Sequence, residues 1–276
     1  MKETGIAVFV YNRPSHLRRV LIALEDLKIK KINVFLDGPK TSVDRICQKE
    51  ILFMLNTSTK VKSKIYKSKI NKGLASSILN GLKVMSKKYT KFIVLEDDCI
   101  PRKEFFKFFS KCLKFYEFNE KVDAICGYQI PEIHQARSKT IKVLGLKNFV
   151  SWGWATWSKK WLKYLSENKK KKYKNIKINS KIFNAIKRKN VDKKKIWTFD
   201  YISYCHSENK FFIFPNKSLV KNIGFDGSGV NSRSTFLFNT KYFPSKLITI
   251  DKKLKLNKKI SVLQEIILSK RLHLFY

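Results

Sequence analysis

The sequence predicts an α/β fold with a mostly parallel central sheet, and three observations predict it. Short β-prone apolar runs alternate with segments of helical periodicity through the first hundred residues. The runs are nearly continuous in apolar character, the pattern of strands covered on both faces. The polar residues able to do chemistry fall at the carboxyl ends of those runs, where open α/β sheets bind ligands.

Taken in order, residues 6–11 form the first strand, broken by Asn12-Arg13-Pro14-Ser15. Leu17, Val20, Leu21 and Leu24 then recur at helical spacing. Residues 32–36 are a second strand, ended by Asp37-Gly38-Pro39, with a helix over 43–55 after it. A third strand covers 61–66, a helix covers 73–85 with Leu74, Ile78 and Leu82 on one face, and a fourth strand covers 92–95. That strand runs directly into Glu96-Asp97-Asp98. Beyond it, an aromatic-rich helix is expected over 101–118 with Pro101 at its start, followed by a strand over 122–126. The block Ser151-Trp152-Gly153-Trp154-Ala155-Thr156-Trp157 precedes a Lys-dense stretch at 159–195, read as a solvated helical region or insert. A helix over 197–208, strands at 211–214 and 219–220, and an amphipathic tail helix over 260–268 complete the pattern.

A chain of 276 residues with 43% hydrophobic content can bury a sizeable core, which excludes a disordered protein. Lys and Arg total 59 against 21 acids, a formal charge of +38. That excess suits a polyanionic partner such as an anionic membrane surface, but compositional drift toward Lys, Ile and Asn explains it equally well. Five cysteines, none at C-x-x-C spacing, point to inert thiols in a reducing compartment. No apolar stretch has the length of a membrane span, and the N-terminal apolar run is too short for a signal peptide. The expected location is cytoplasmic, with peripheral attachment at the inner membrane face as an open alternative.

Glu96-Asp97-Asp98 is the most informative triplet. Three carboxylates closing an apolar strand repel one another and need a cation, and Mn²⁺ or Mg²⁺ suits hard oxygen ligands. The plainer account is that Asp98 caps the following helix or pairs with a nearby Lys, but one acid suffices for a cap. No G-x-G-x-x-G follows the first strand and no G-x-x-x-x-G-K-[ST] is present, which argues against dinucleotide oxidoreductases and P-loop NTPases.

The series Val8-Phe9-Val10-Tyr11-Asn12-Arg13-Pro14, Phe35-Leu36-Asp37-Gly38-Pro39, Asn71-Lys72-Gly73-Leu74-Ala75 and Val94-Leu95-Glu96-Asp97-Asp98 resembles GT-A glycosyltransferases. The likeness is to bacterial relatives of N-acetylglucosaminyltransferase I, and Trp152 to Trp157 with Asn222-Ile223-Gly224-Phe225 is similar to the same group. It spans residues 5–232 and implies a Rossmann-like three-layer fold with a smaller acceptor-side region. It further implies a nucleoside-diphosphate sugar, expected to be a UDP-sugar, as donor. Tyr11, Asn12, Arg13, Asp37, Gly38, Asn71, Gly73, Glu96 and Asp97 would hold the donor, with Asp98 as the direct metal ligand. An inverting transfer to a glycan or lipid-linked acceptor, in cell-surface polysaccharide assembly, would need a base. Asp200 in Trp197-Thr198-Phe199-Asp200-Tyr201 is the best match, ahead of Asp192, although a helix cap explains Asp200 as well. Trp152 and Trp154 would form an acceptor wall or fill the core. The glycines of Gly224 to Ser232, including Gly227 and Gly229, would form a lid or a surface turn.

The expected organisation is a donor half at 1–128, an acceptor half with the Lys-rich insert at 129–240, and a tail at 241–276. Two other functions compete. A nucleotidyltransferase also holds metal on strand-end acids, but Asn12-Arg13-Pro14 is not the phosphate loop it would want. A basic nucleic-acid or membrane-binding module accounts for the charge but leaves the acid triplet unexplained, and no nucleic acid is expected as partner.

Overall fold

The computed structural model describes residues 2–170, 197–229 and 233–271. The expected α/β architecture is present. Eleven strands and seven helices run in the described residues, and nine of the strands join one sheet in the order β11-β7-β9-β6-β8-β4-β1-β2-β3. Five of its pairings are parallel and three antiparallel.

The first half winds as its apolar runs require. Strands β1 (Lys2–Val10), β2 (Lys31–Leu36), β3 (Lys62–Lys67) and β4 (Tyr89–Glu96) are all parallel, with β1 beside both β2 and β4. Their crossovers are α1 (Pro14–Asp26), α2 (Ser42–Thr57) and α3 (Leu74–Lys88). Pro14 opens α1, where a missing N–H costs nothing, and Leu17, Val20 and Leu24 form its buried stripe. Thr41 and Asp44 open α2 with a reciprocal capping box.

The second half departs from the sequence reading in several places. Pro101 does not open a helix. It ends the short strand β5 (Cys99–Pro101), which pairs antiparallel with β10 (Val220–Asn222), and the Arg102 amide donates to Leu219 O at 2.9 Å. Sheet hydrogen bonds take these backbone groups before a helix can, so α4 is confined to Phe105–Phe115. The strands β7 (Thr140–Leu146) and β11 (Leu247–Thr249) were not expected, and β11 brings the C-terminal region onto the sheet edge. One sheet therefore runs through all three of the segments expected from the sequence. Strands β6 (Val122–Cys126) and β9 (Phe211–Pro215) are parallel neighbours, with α7 (Lys258–Arg271) near the tail.

The Trp block forms β8 (Trp154–Trp157), an antiparallel strand wedged between β4 and β6. Trp154 is fully buried and packs on Phe92, Phe149, Trp161 and Trp197. It has no face left for a ligand, so of the two roles open to it from the sequence it takes core packing. Truncating so large a buried ring costs about 3–5 kcal/mol. Helix α5 (Ser158–Lys170) carries the start of the Lys-dense stretch, and not all of it is solvated. Lys160 Nζ donates to the carbonyls of Asn119 and Val122 at 2.9 and 2.6 Å and lies over the Trp157 ring. Residues 171–196, with Asp192, lie outside the described residues. Helix α6 (Trp197–Ser207) follows.

Candidate functional site

Four loops meet at the carboxyl ends of β1 to β4, and the side chains expected there tie them together. The loop after β1 carries Tyr11, Asn12 and Arg13. Tyr11 hydroxyl and Asn12 Nδ2 both donate to the buried Asp44 carboxylate at 2.7 Å. The amides of Lys40 and Thr41 donate to the same carboxylate at 2.9 Å. Burial opposes the Asp44 charge, but these donors outweigh it and hold the carboxyl well below its usual range. Burial first, and then Asp44, pushes the Tyr11 phenol up to about 12. Asp44 was not singled out from the sequence; the Thr41-x-x-Asp44 spacing of a capping box was the available signal.

The loop after β2 holds the next one. Asp37 Oδ1 accepts from the Lys72 amide and Oδ2 from the Gly73 amide, both at 2.9 Å. Asn71 Nδ2 returns a bond to Gly38 O at 2.8 Å. Gly38 lies so close to this strand-end chain that a Cβ would stand 2.2 Å from Ile70 C, so only glycine fits. Gln48 Nε2 clamps Tyr11 O and Asp37 O at 3.1 and 2.8 Å. Asp37, Gly38, Asn71 and Gly73 are thus brought together at one place, which the Asp37 carboxylate shapes.

The acid triplet sits at the centre. Asp97 and Asp98 are buried and Glu96 is half-buried. Arg13 Nη2 donates to Asp97 Oδ1 at 2.5 Å and to Asp98 Oδ2 at 2.7 Å. The Tyr11 amide donates to Asp97 Oδ2 at 3.2 Å. Burial works against the Arg13 charge, yet Asp97 and Asp98 outweigh it and hold the guanidinium above its ordinary range. Burial first, and then Asp98 and Asp97, raise the Glu96 carboxyl above the ordinary carboxylate range. The cation that the triplet demands is, in this structure, Arg13.

Segment 223–229 lies over the acids. The Ile223 amide donates to Asp98 O at 2.9 Å, and a Cβ on Gly224 would stand 2.1 Å from Asp98 Oδ2 and 3.1 Å from Arg13 Nη1. Further along, Asp226 Oδ2 lies 3.0 Å from His16 Nε2, near the start of α1. Gly227 adopts φ +89°, and Gly229 lies at a bend beside residues 230–232, which fall outside the described residues. Trp152 is half-buried and meets Tyr128, Phe225 and Phe238 edge-on, so it borders this roof.

Asp200 lies half-buried in the first turn of α6. The start of that helix stacks Trp197 on Trp154, which pairs with Val94 and Cys126 near the carboxyl ends of β4 and β6. One turn later Tyr201 hydroxyl donates to Asp123 Oδ2 at 2.6 Å, near the start of β6. The N-terminal end of α6, with Asp200, therefore lies toward the carboxyl ends of β4 and β6.

The site's fit to a divalent ion follows from its donors. Oxygens of Asp97 and Asp98 already converge on one point, the Arg13 Nη2 atom. Among the described residues no three acidic, His or Cys side chains gather around such a point. An ion held there would take these two carboxylates and complete its shell with phosphate and water oxygens, a preference typical of Mg²⁺.

No protein-family model matches the sequence, and no curated protein matches it. Among solved structures, the chain is similar to the mannosyltransferase PcManGT from Pyrobaculum calidifontis in complex with GDP-Man and Mn²⁺. The TM-score is 0.44 at 10% identity, covering 98% of this chain and 63% of that one. It is also similar to residues 1–349 of S. aureus TarS, with a TM-score of 0.44 at 12% identity, covering 81% of this chain and 61% of that one. A 4-diphosphocytidyl-2C-methyl-D-erythritol synthase from Anaerococcus prevotii gives 0.41 at 10% identity, covering 98% and 99%. The chain spans less than two thirds of the first two. Likeness at this level assigns neither activity nor substrate, and the functional reading rests on the residues themselves. Among the described residues no helix is long and apolar enough to cross a membrane.

Proposed function

We propose that the protein is a glycosyltransferase that moves a sugar from a nucleoside diphosphate, a UDP-sugar in the first instance, to a glycan or lipid-linked acceptor. The observation that carries the reading is the buried Asp97–Arg13–Asp98 bridge, set where four parallel-strand loops converge and roofed by Gly224. A site of this kind offers opposite charges side by side at the place where α/β sheets bind ligands. The resemblance in the strand-end motifs supports the same assignment.

In this reading the loops fixed by Asp44, Asp37 and Gln48 seat the nucleoside. A divalent ion on Asp98 and Asp97 would offset the charge that grows on the leaving diphosphate. Arg13 supplies a second positive group to the diphosphate, in a fixed fork geometry suited to phosphate oxygens. The segment at Gly224 covers the reacting bond and excludes water, which would otherwise consume the donor. Asp200 takes the proton from the acceptor hydroxyl on the face opposite the leaving group, giving inversion. Trp152 lines the acceptor side.

The test is titration of the purified protein with UDP, GDP and CDP, with and without Mn²⁺. Metal-dependent preference for one nucleotide, lost in Asp98→Ala, is the expected result. Equal binding by Asp98→Ala and the wild type would overturn the assignment. Asp200→Asn should keep donor binding and lose at least a hundredfold in turnover. Unchanged turnover would exclude Asp200 as the base.

A further inference from the structure

The seat that suits a divalent ion is filled by a side chain of the protein itself. Asp97 Oδ1 and Asp98 Oδ2 lie 2.5 and 2.7 Å from the same Arg13 nitrogen. The remaining oxygens are engaged too: Asp97 Oδ2 accepts the Tyr11 amide, and Asp98 Oδ1 faces the Cys99 thiol at 3.3 Å. An ion approaching both acids must displace the guanidinium. An ion and the guanidinium cannot share these two carboxylates, because at such separations their repulsion in a poorly solvated site is large.

The guanidinium is also the part of this arrangement that can move. The Arg13 side chain keeps more exposure than either carboxylate, 17% against 4% and 12%. It projects from the loop between β1 and α1, while its backbone is fixed by the Leu17 amide donating to Arg13 O at 3.1 Å. A long side chain on an anchored backbone can swing without disturbing the fold. It cannot leave for nothing, however, because a guanidinium displaced from two carboxylates loses two charge-assisted bonds. A diphosphate provides replacement acceptors beside the same acids.

The geometry points to an exchange in which Arg13 guards the metal seat: a divalent cation enters Asp97 and Asp98 only when a nucleoside diphosphate accepts the Arg13 guanidinium. This rests on the donor-site reading above and adds a rule to it. Metal and nucleotide bind as a coupled pair, and the empty enzyme holds neither firmly. The coupling is reciprocal, so Mn²⁺ strengthens UDP binding by the same factor by which UDP strengthens Mn²⁺ binding. Gly224 lies against both Asp98 and Arg13, so the covering segment senses which of the two cations is present.

The decisive measurement is Mn²⁺ binding without nucleotide, followed by the loss of the free Mn²⁺ paramagnetic signal, in the wild type, Arg13→Gln and Asp98→Ala. Arg13→Gln removes the guarding charge and should bind Mn²⁺ alone at least tenfold more tightly than the wild type. The same variant should show UDP and Mn²⁺ binding almost independently, where the wild type shows at least tenfold mutual enhancement. Arg13→Lys keeps a charge with fewer donors and should fall between the two. It also serves as the folded comparison should the Gln variant melt early. Mn²⁺ affinity in Arg13→Gln and Arg13→Lys no tighter than in the wild type would overturn the exchange. Failure of the donor-site reading looks different: Asp98→Ala would then bind Mn²⁺ with UDP as well as the wild type does.

Discussion

Gly224→Ala is the sharpest probe of how the covering segment meets the acids. The added Cβ would stand 2.1 Å from Asp98 Oδ2 and 2.9 Å from Asp98 Cγ. Real Cβ atoms essentially never approach closer than 3.0 Å, so the contact is short by about 0.9 Å. The obstacle is not the free end of a flexible chain. Asp98 Oδ2 is held by Arg13, and the segment is held by the Ile223 amide on Asp98 O and the Gly224 amide on Asn222 Oδ1. Either the carboxylate or the segment must therefore move by roughly an ångström, at a cost of about 1–3 kcal/mol for forced overpacking. A misplacement of that size at a reacting centre costs on the order of a hundredfold in rate. The assay pairs a thermal melt with UDP and Mn²⁺ titration. The expected result is a small fall in Tm and a loss of at least tenfold in metal-dependent UDP affinity. Gly227→Ala is the comparison. There the nearest atom to a Cβ is 3.6 Å away, and the only strain is the φ of +89°. It should lower Tm slightly and leave nucleotide affinity unchanged. If Gly224→Ala binds UDP and Mn²⁺ like the wild type, the segment does not lie on Asp98 in the working enzyme, and the roof is wrong.

Two further outcomes concern the frame around the site. Asp44→Ala removes the acceptor for Tyr11, Asn12, Lys40 and Thr41 together, which should cost about 3 kcal/mol and lower Tm by roughly 6–10 °C, with weakened UDP binding. A melt within 2 °C of the wild type would show that Asp44 does not organise the loop. His206 is held down to about 4, by burial first and then by Lys147. Its folded pKa lies below its unfolded value near 6.5, so the unfolded chain binds more protons between about pH 6.5 and 4. This contribution is complete above pH 6.5 and is lost as the pH falls toward 4, with an upper bound of about 3 kcal/mol. His206→Gln should flatten the fall of Tm across that window, and an unchanged slope would remove His206 from the account.

The first half of the fold was legible because parallel strands covered on both faces must be written as apolar runs. β1, β2 and β4 each read as one, and each ends where a polar loop begins. The second half was not, because its local signals compete with distant partners. Pro101 carries a helix-start signal, yet its neighbours pair with residues 219–222, more than a hundred positions away. β7 mixes Lys142 and Gly145 into its run, and its place in the sheet is set by β9. The site divides along the same line. The acids announced their need for a cation, since three adjacent carboxylates cannot be left bare. Which cation answers was invisible, because Arg13 and Asp98 are 85 positions apart and only the β1–β4 register brings them together. Asp44 was hidden for a different reason. Its cap spacing explains it locally, so nothing in the sequence asks for its further bonds to Tyr11 and Asn12.

That register also explains how, in the proposed function, one loop would serve both as nucleotide frame and as guard. Because β1 and β4 are adjacent and parallel, with Phe9 beside Glu96, the residues after each strand leave the sheet on the same side. Arg13 and Asp98 therefore meet without either strand bending. The Tyr11 amide reaches Asp97 from the same loop whose side chains are locked to Asp44. Rigidity and mobility are divided within three residues: Tyr11 and Asn12 are held by a buried carboxylate, while the Arg13 guanidinium is held by the two acids that the proposed ion would take. A substitution that loosened Tyr11 or Asn12 would blur nucleotide binding, whereas one at Arg13 would uncouple metal from nucleotide. The two kinds of defect would separate in a single titration of UDP against Mn²⁺, which tests the loop after β1 apart from the acid triplet.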